Sequence, residues 1–371
     1  MMTRNLIYAD NAATTPMSDA AIKAMMQYLA DDFGNVSQPY TFSRKPKRAL
    51  TEAREIIAAC IGAKPAEIIF TSGGTESDNW SLINAWRHGR KIVTSAIEHH
   101  AILNSCHFIE NQGGKIDYLP VDGNGFINTQ LIKNALEPQG FLSIMMANNE
   151  IGTIEPLSQY SLLAKEQEAI FHTDAVQAVG HIPINVNELG VDMLSASAHK
   201  FNGPKGIGFL YVREGTSIKP FINGGSQEFG LRAGTENVAA IIAMAIALRE
   251  NVDNIESNAN LLYELESSLL ENLKFHGVKF TRNGNNQLPG SLSLSFEDKD
   301  GEALLHRLDL MGIAVSSGSA CDSKNTNISH VLQAIALPES LARGTIRITF
   351  GKQNTKEDAK AIASAIAKII L

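Results

Sequence analysis

Between about residues 18 and 235, short apolar runs alternate with stretches whose apolar residues recur at helical spacing. Glu67–Phe70, Lys91–Thr94, Phe141–Met146, Ala169–His172, Asp192–Ala196 and Gly206–Val212 have the length and composition of strands. Ile22, Met25, Met26 and Leu29 fall three, four and seven positions apart from the first, which makes one stripe of a helix. Such alternation predicts a mainly parallel α/β sheet with helices on both faces. From Thr235 to about Lys274 the pattern is helical with no strand signal, and beyond it Ser291–Phe296 and Arg347–Phe350 read as strands of a smaller unit. A domain boundary is therefore expected inside that long helix, with residues 15–255 forming a large domain and residues 1–14 and 256–371 a small one. No Gly, Ser or Pro-rich stretch separates the two, so the linker is expected to be helical.

Composition narrows the function classes. At 371 residues and 44% hydrophobic content the chain can bury more than one core. Asp and Glu outnumber Lys and Arg, 39 to 32, and no clustered basic run could neutralise a series of phosphates, which argues against nucleic acid as a direct partner. The first residues, MMTRNLIYADNAATTP, lack the continuous apolar core of a signal peptide. The longest apolar run, Val238–Leu248, falls short of the roughly 20 residues that cross a bilayer, so no membrane span is expected. The three cysteines, Cys60, Cys106 and Cys321, make neither a disulfide framework nor a metal-ligand set, and a reducing cytoplasmic setting with no metal is expected.

Ligands of open α/β sheets collect at the carboxyl ends of the strands, and here those ends are polar. Thr71-Ser72-Gly73-Gly74-Thr75-Glu76 follows the first strand, and a glycine turn opening a helix offers amides and a positive dipole end to a phosphate. A tight turn that simply needs glycine reads the same way. Glu98-His99-His100 and Asn148-Asn149-Glu150 follow the next two strands, although a lone histidine there is more often structural. His172-Thr173-Asp174-Ala175-Val176-Gln177 places a carboxylate where it could pair with a cationic ring nitrogen or cap a helix. Ser195-Ala196-Ser197-Ala198-His199-Lys200 ends on a lysine poorly placed for solvation, as Schiff-base chemistry needs, whereas Lys205 in the Gly-Pro turn reads as solvated. Taken together, a phosphate cradle, an aromatic ring, a carboxylate and a lysine around one sheet edge suit pyridoxal 5'-phosphate.

With these motifs in view the chain resembles the cysteine desulfurases of the class V aminotransferase family. The resemblance runs from Tyr8-Ala9-Asp10-Asn11-Ala12-Ala13-Thr14-Thr15-Pro16 to Arg347-Ile348-Thr349-Phe350-Gly351. Ser316-Ser317-Gly318-Ser319-Ala320-Cys321 is its most diagnostic segment and resembles the catalytic loop of the group with a long cysteine loop. The resemblance implies the fold of pyridoxal-phosphate-dependent transferases (fold type I), with a mainly parallel large-domain sheet and a smaller α+β domain carrying the cysteine loop. It further implies that Lys200 bonds the cofactor, Asp174 pairs with the pyridine nitrogen, Gln177 contacts the ring hydroxyl and His99 stacks on the ring. Gly74 and Thr75, with Ser197 and His199, would hold the phosphate, and Thr235 would reach the phosphate of a neighbouring subunit, which implies a homodimer. Asn149 and Arg347 match substrate-contacting positions, as does Asn11, with the arginine gripping the carboxylate of L-cysteine. Val36, Tyr40 and Ser43 stand where the family usually has Pro, His and Gly, and Asp322 stands where a small hydroxyl residue is common.

The cysteines separate on local context. Cys60 lies on the apolar stripe of Leu50, Ala53 and Ile57, and Cys106 in a similar segment, so both read as inert core thiols. Cys321 lies in a small, polar run expected to be a mobile loop. The reaction then expected is removal of sulfur from L-cysteine, with Lys200 taking the Cα proton, the Cys321 thiolate attacking the substrate sulfur, and His99 moving a proton at the thiol. The products would be alanine and a persulfide, whose sulfur passes to an acceptor protein of iron–sulfur assembly or tRNA thiolation. Other readings are a selenocysteine lyase or ordinary aminotransferase on the same scaffold, or a sulfur-delivery scaffold defined by its partner. The Ser-Gly-Ser-Ala-Cys run argues against transamination, which uses no second nucleophile.

Overall fold

The computed structural model describes residues 6–317 and 328–371. Its strands, in chain order, are β1 (Ile7–Tyr8), β2 (Ile68–Thr71), β3 (Ile92–Ser95), β4 (Ile116–Leu119), β5 (Phe141–Ser143), β6 (Ile170–Asp174), β7 (Met193–Ser197), β8 (Gly208–Val212), β9 (Thr281–Asn283), β10 (Ser291–Ser295), β11 (Ile313–Ala314), β12 (Ser316–Ser317) and β13 (Thr345–Thr349). Seven of them form one sheet in the order β2-β8-β7-β6-β5-β3-β4, in which β8 is antiparallel to both neighbours and every other pair is parallel. The strands β2, β3, β5, β7 and β8 are buried along their whole length because helices cover both faces, so they read as continuous apolar runs. On one face lie the helices Arg44–Ile61 and Val238–Asp253, whose Ile57, Ile61, Ile241 and Leu248 join Leu142, Phe171 and Leu194 of the sheet. On the other, Gly74–Arg87 and His100–Asn111 bring Trp80, Leu82, Ile102 and Cys106 against Ile92, Phe141 and Met193.

A second core forms around the antiparallel sheet β12-β13-β10-β9. Leu292, Leu294, Ile346 and Ile348 on its strands pack against Leu265 and Leu269 of the helix Ile255–Phe275 and Ile362 and Ile366 of Lys356–Ile370. The N-terminal segment joins this side, with β1 parallel to β11 and Asp10 bridged to Thr349. Among the described residues no helix is long and apolar enough to cross a membrane.

Four local expectations differ in detail. The helical stretch after Thr235 is two helices, because Asn254 leaves helical geometry at φ −119° and ψ 15° between Asp253 and Ile255. The edge strand β4 escapes the pattern, since Ile116, Asp117 and Tyr118 are only partly buried and lack an apolar run. The run from Phe141 leaves the regular ladder after Ser143: Ile144 and Met146 still donate to His172 and Asp174, while the Met145 amide turns to the Glu98 carboxyl. Finally, of the stripe Ile22, Met25, Met26 and Leu29, Met25 packs against the core while Ile22, Met26 and Leu29 are 45%, 57% and 54% exposed, because the helix Asp19–Ala30 turns Ala21 toward Val238–Asp253.

Candidate active site

The carboxyl ends of β2, β3, β6 and β7 lie on one edge of the large sheet and open on a cavity of about 380 Å³. Gly74 and Thr75 reach it from the turn after β2, His99 from the turn after β3 and Asn149 from beyond β5. Asp174 and Gln177 come from the end of β6, and Ser197, His199 and Lys200 from the end of β7. Arg347 of β13 and Ser316 and Ser317 of β12 close it from the small sheet, and Asp10, Ala12 and Ala13 cross it from the N-terminal segment. The volume lies in the range of small-molecule sites.

Glycine is required where the first turn meets the sheet. Gly73 has φ +150°, and a Cβ on Gly208 would stand 2.7 Å from Gly73 Cα. A Cβ on Gly74 would collide with the Val176 side chain. The backbone therefore runs close to the sheet edge and delivers the first-turn amides of the 14-residue helix Gly74–Arg87 to the cavity, where an anion is favoured. Ser197, Thr75 and His199 add polar side chains on the same side, with His199 Nδ1 held 3.1 Å from Thr14 Oγ1.

Burial sets the charges. Asp174 Oδ1 accepts from the Val176 amide at 2.9 Å, yet burial raises its carboxyl to about 6 despite that bond and the nearby Lys200 charge. A carboxylate so placed is short of a cation. Behind it Asp78 is pushed further up by burial and by Asp174, and its Oδ1, 3.7 Å from His172 Nε2, makes no hydrogen bond. Burial lowers His172 to about 3, so this ring is neutral between the hydroxyls of Ser143 and Ser195. His99 Nδ1 accepts from the Ala101 amide at 3.1 Å and caps the helix His100–Asn111. Burial, then Lys200 and His100, lower it to about 4, so the neutral ring carries its proton on Nε2. His99 thus has a structural role as a helix cap and also lines the cavity.

Lys200 Nζ donates to the carbonyls of Ala12 at 2.6 Å and Ala13 at 3.0 Å, and Gln177 Nε2 donates to Ala12 at 3.0 Å. The His181 ring donates to the Lys200 carbonyl at 2.8 Å and so fixes the lysine backbone. Arg347 is 7% exposed; its Nη2 pairs with Asp10 at 2.8 Å, its Nη1 donates to Asn149 O at 2.8 Å, and its Nε has no partner among the described residues. An anion bound here would meet a buried guanidinium with an unused donor.

Not every expected residue gathers at this cavity. Thr235 is exposed and lies away from it. Asn11 turns to the small sheet, donating to Thr349 O at 2.9 Å and accepting from Gln353, and lines a neighbouring pocket of about 40 Å³ that shares Asn149 and Gln177 with the cavity. Cys321 lies outside the described residues, as does Asp322. Val36, Tyr40 and Ser43 do not line the cavity. Cys60 and Cys106 are buried; desolvation raises both thiols, Cys106 to about 12, in keeping with inert core positions. Lys205 is exposed. Asp10, Asp78 and Glu150 line the cavity without having been singled out as site residues; Glu150 stood inside the polar Asn148-Asn149-Glu150 run, whereas nothing in the helical stretch around Asp78 marked it.

Residues 7–362 match the family model described as aminotransferase class-V. Curated relatives include "Cysteine desulfurase IscS" of Dictyoglomus turgidum, 49% identical over 98% of this chain and 94% of that protein, and "Cysteine desulfurase IscS" of Methanosarcina thermophila, 42% identical over 98% and 92%. Among solved structures, a "NIFS-LIKE PROTEIN" superposes with a TM-score of 0.92 at 35% identity, over 98% of this chain and 99% of that one. "SspA in complex with cysteine" follows with a TM-score of 0.84 at 34% identity, over 94% and 100%. The near-complete coverage, together with the sheet edge it spans, shows that the chain belongs to the class-V aminotransferase family.

Proposed function

We propose that this chain is a pyridoxal-phosphate-dependent cysteine desulfurase, which converts L-cysteine and the Cys321 thiol into L-alanine and a Cys321 persulfide. The observation that carries the reading is the meeting of Lys200, His99, Asp174 and Arg347 at one cavity whose floor is a helix N-terminus. The cavity fits the cofactor on its own chemistry. Asp174, held up to about 6 by burial, lacks the cation that a protonated pyridine nitrogen provides, and the glycine turn, packed against Val176, brings the first amides of the helix Gly74–Arg87 to the cavity, where a phosphate is favoured. Gly74, Thr75, Ser197 and His199 would hold the phosphate, Gln177 would meet the ring hydroxyl, and the neutral His99 ring would offer it an aromatic face. When bound, pyridoxal 5'-phosphate supplies an electron sink that labilises bonds at the substrate's Cα and Cβ.

The protein's own groups do the rest. Arg347 exchanges its Asp10 contact for the substrate carboxylate, with Asn149 beside it. Lys200, whose Nζ meets the Ala12 and Ala13 carbonyls, would hold the cofactor, and once the substrate amine has freed it, its amine would take and return the proton at Cα. His99, with its proton on Nε2, moves a proton at the substrate thiol. The Cys321 thiolate attacks the sulfur; the S–S bond forms as the C–S bond breaks, and the electron pair and a proton go to the carbon that becomes the alanine methyl. An acceptor protein, of iron–sulfur assembly or tRNA thiolation, then takes the sulfur in the cytoplasm.

Two further readings belong here. The division into a large unit, 15–255, and a small one, 1–14 with 256–371, is supported by the two separate cores and the break at Asn254. A homodimer is supported by the exposed large apolar side chains Ile22, Met26 and Leu29 on one helix and by exposed Phe42 packed on Phe33. Thr235, exposed and away from its own cavity, is then free to serve the partner's. Alanine and sulfide release from L-cysteine with a reductant tests the activity. Lys200→Ala is expected to abolish both products and the visible absorbance of bound cofactor; turnover undiminished in that variant would refute the assignment.

A further inference from the structure

The buried turn after β5 is the meeting point of two tethers. Asn148 shapes it: Oδ1 accepts from the amides of Glu150 at 2.9 Å and Ile151 at 3.0 Å, and Nδ2 donates to Ile97 O at 2.9 Å. One tether is Arg347, which donates to Asn149 O and stands opposite Ser316 in the β12–β13 register, where the chain leaves the small sheet toward residue 318. The other is Ser329, whose hydroxyl donates to Glu150 Oε2 just after the chain re-enters the described structure. Both partners are buried, Ser329 at 3% and Glu150 at 6% exposure, and Glu150 also lines the cavity.

Just beyond Ser329 the chain packs on the turns that follow β3 and β5 of the large sheet. Val331, Leu332 and Ile335 pack on Ile97, Met145 and Ile151, and His330 Nε2 donates to Glu98 O at 3.0 Å with the His100 ring 4.9 Å away. The stretch that contains Cys321 therefore starts from one sheet and returns to the other. Its two ends share a reference in the adjacent residues Asn149 and Glu150, which both line the cavity.

We propose that Glu150 and Ser329 are positioning residues for sulfur transfer, their hydrogen bond fixing the return end of the Cys321 segment to the turn that orients Arg347. The proposal rests on Cys321 being the sulfur acceptor. A displacement of about 1 Å in an attacking group can cost on the order of 10²-fold in rate, so a buried tether close to the nucleophile's segment governs the transfer step more than cysteine binding.

The test uses cofactor-loaded protein mixed with L-cysteine. The change in cofactor absorbance reports cysteine binding, and thiol labelling of quenched samples reports the persulfide. Glu150→Ala and Ser329→Ala are expected to form persulfide about tenfold more slowly or worse, as loss of a buried hydrogen bond to a carboxyl implies, while the cysteine concentration for half of the absorbance change stays within about twofold. Glu150→Gln and Ser329→Thr, which keep acceptor and donor, restore the rate. The double alanine variant is no slower than the slower single one, because the two share one interaction. Thermal unfolding and cofactor absorbance check each variant; should Glu150→Ala fail to fold, Ser329→Ala, the smaller truncation, carries the same test. Persulfide formation at the parent rate in folded, loaded alanine variants overturns the proposal, as does a rate loss matched by an equal loss of cysteine affinity. Cys321→Ala run alongside separates the two ideas: persulfide on that variant sinks the acceptor assignment, whatever the Glu150 and Ser329 variants do.

Discussion

Glu98 shows how burial becomes a measurable property of one side chain. Its Oε1 accepts from Ser95 and from the Met145 amide, its Oε2 has no partner, and burial lifts the carboxyl from its ordinary 4.5 to about 8. The folded protein thus keeps this proton where the unfolded chain gives it up. Its stabilising contribution is complete below about 4.5 and is lost as pH rises toward about 8. Glu98→Gln removes the titration, so its stability relative to the parent should rise across that window by about 1.4 kcal/mol per pH unit, a few kcal/mol in all. Urea midpoints of both proteins at the two ends of the window check this; a constant difference would mean that Glu98 is ionised in the fold. At this scale, what sequence made legible were residues such as Lys200 and Asp174, because a polar side chain directly after a buried strand has only the sheet edge to face. Asp10 and Glu150 were not legible as site residues, since their partners Arg347 and Ser329 lie 337 and 179 positions away.

Among the elements, the helix Asp19–Ala30 is the most instructive. Its periodicity was plain in the sequence, but periodicity says only that a stripe exists and not what covers it. The inward face is Ala21 with Ala24, Met25 and Tyr28, packed beside the alanine-rich helix Val238–Asp253, and the large side chains Ile22, Met26 and Leu29 are exposed. Replacing those three by lysine should leave the fold intact, since none is in the core, and convert the proposed dimer to monomer in light scattering. Cofactor should then be held less firmly if Thr235 serves the partner's phosphate. A triple variant that remains dimeric would move the interface elsewhere. Strands covered on both faces were legible for the same reason that they are stable, whereas β4 was missed because an edge strand needs no apolar run and the break at Asn254 because a single asparagine does not interrupt helical spacing over its neighbours.

For the whole molecule, the arrangement of two sheets around one cavity is what joins the chemistry. The large sheet supplies Lys200, His99 and Asp174; the small sheet supplies Arg347 and the departure point of the Cys321 segment, which returns to the large sheet at Ser329. The relatives named cysteine desulfurase match over nearly the full length of the chain, so both halves are carried together. The proposed division of labour, Lys200 at the substrate carbon and Cys321 at its sulfur, can be tested in one experiment: alanine and sulfide release from L-cysteine by the parent protein and by Cys321→Ala, with bound-cofactor absorbance recorded in both. The parent should be yellow and release both products, and the variant should stay yellow, still change its spectrum with cysteine, and release neither at a comparable rate. Full activity in the variant would show that the sulfur leaves without Cys321 and would reduce the protein to a lyase on the same scaffold.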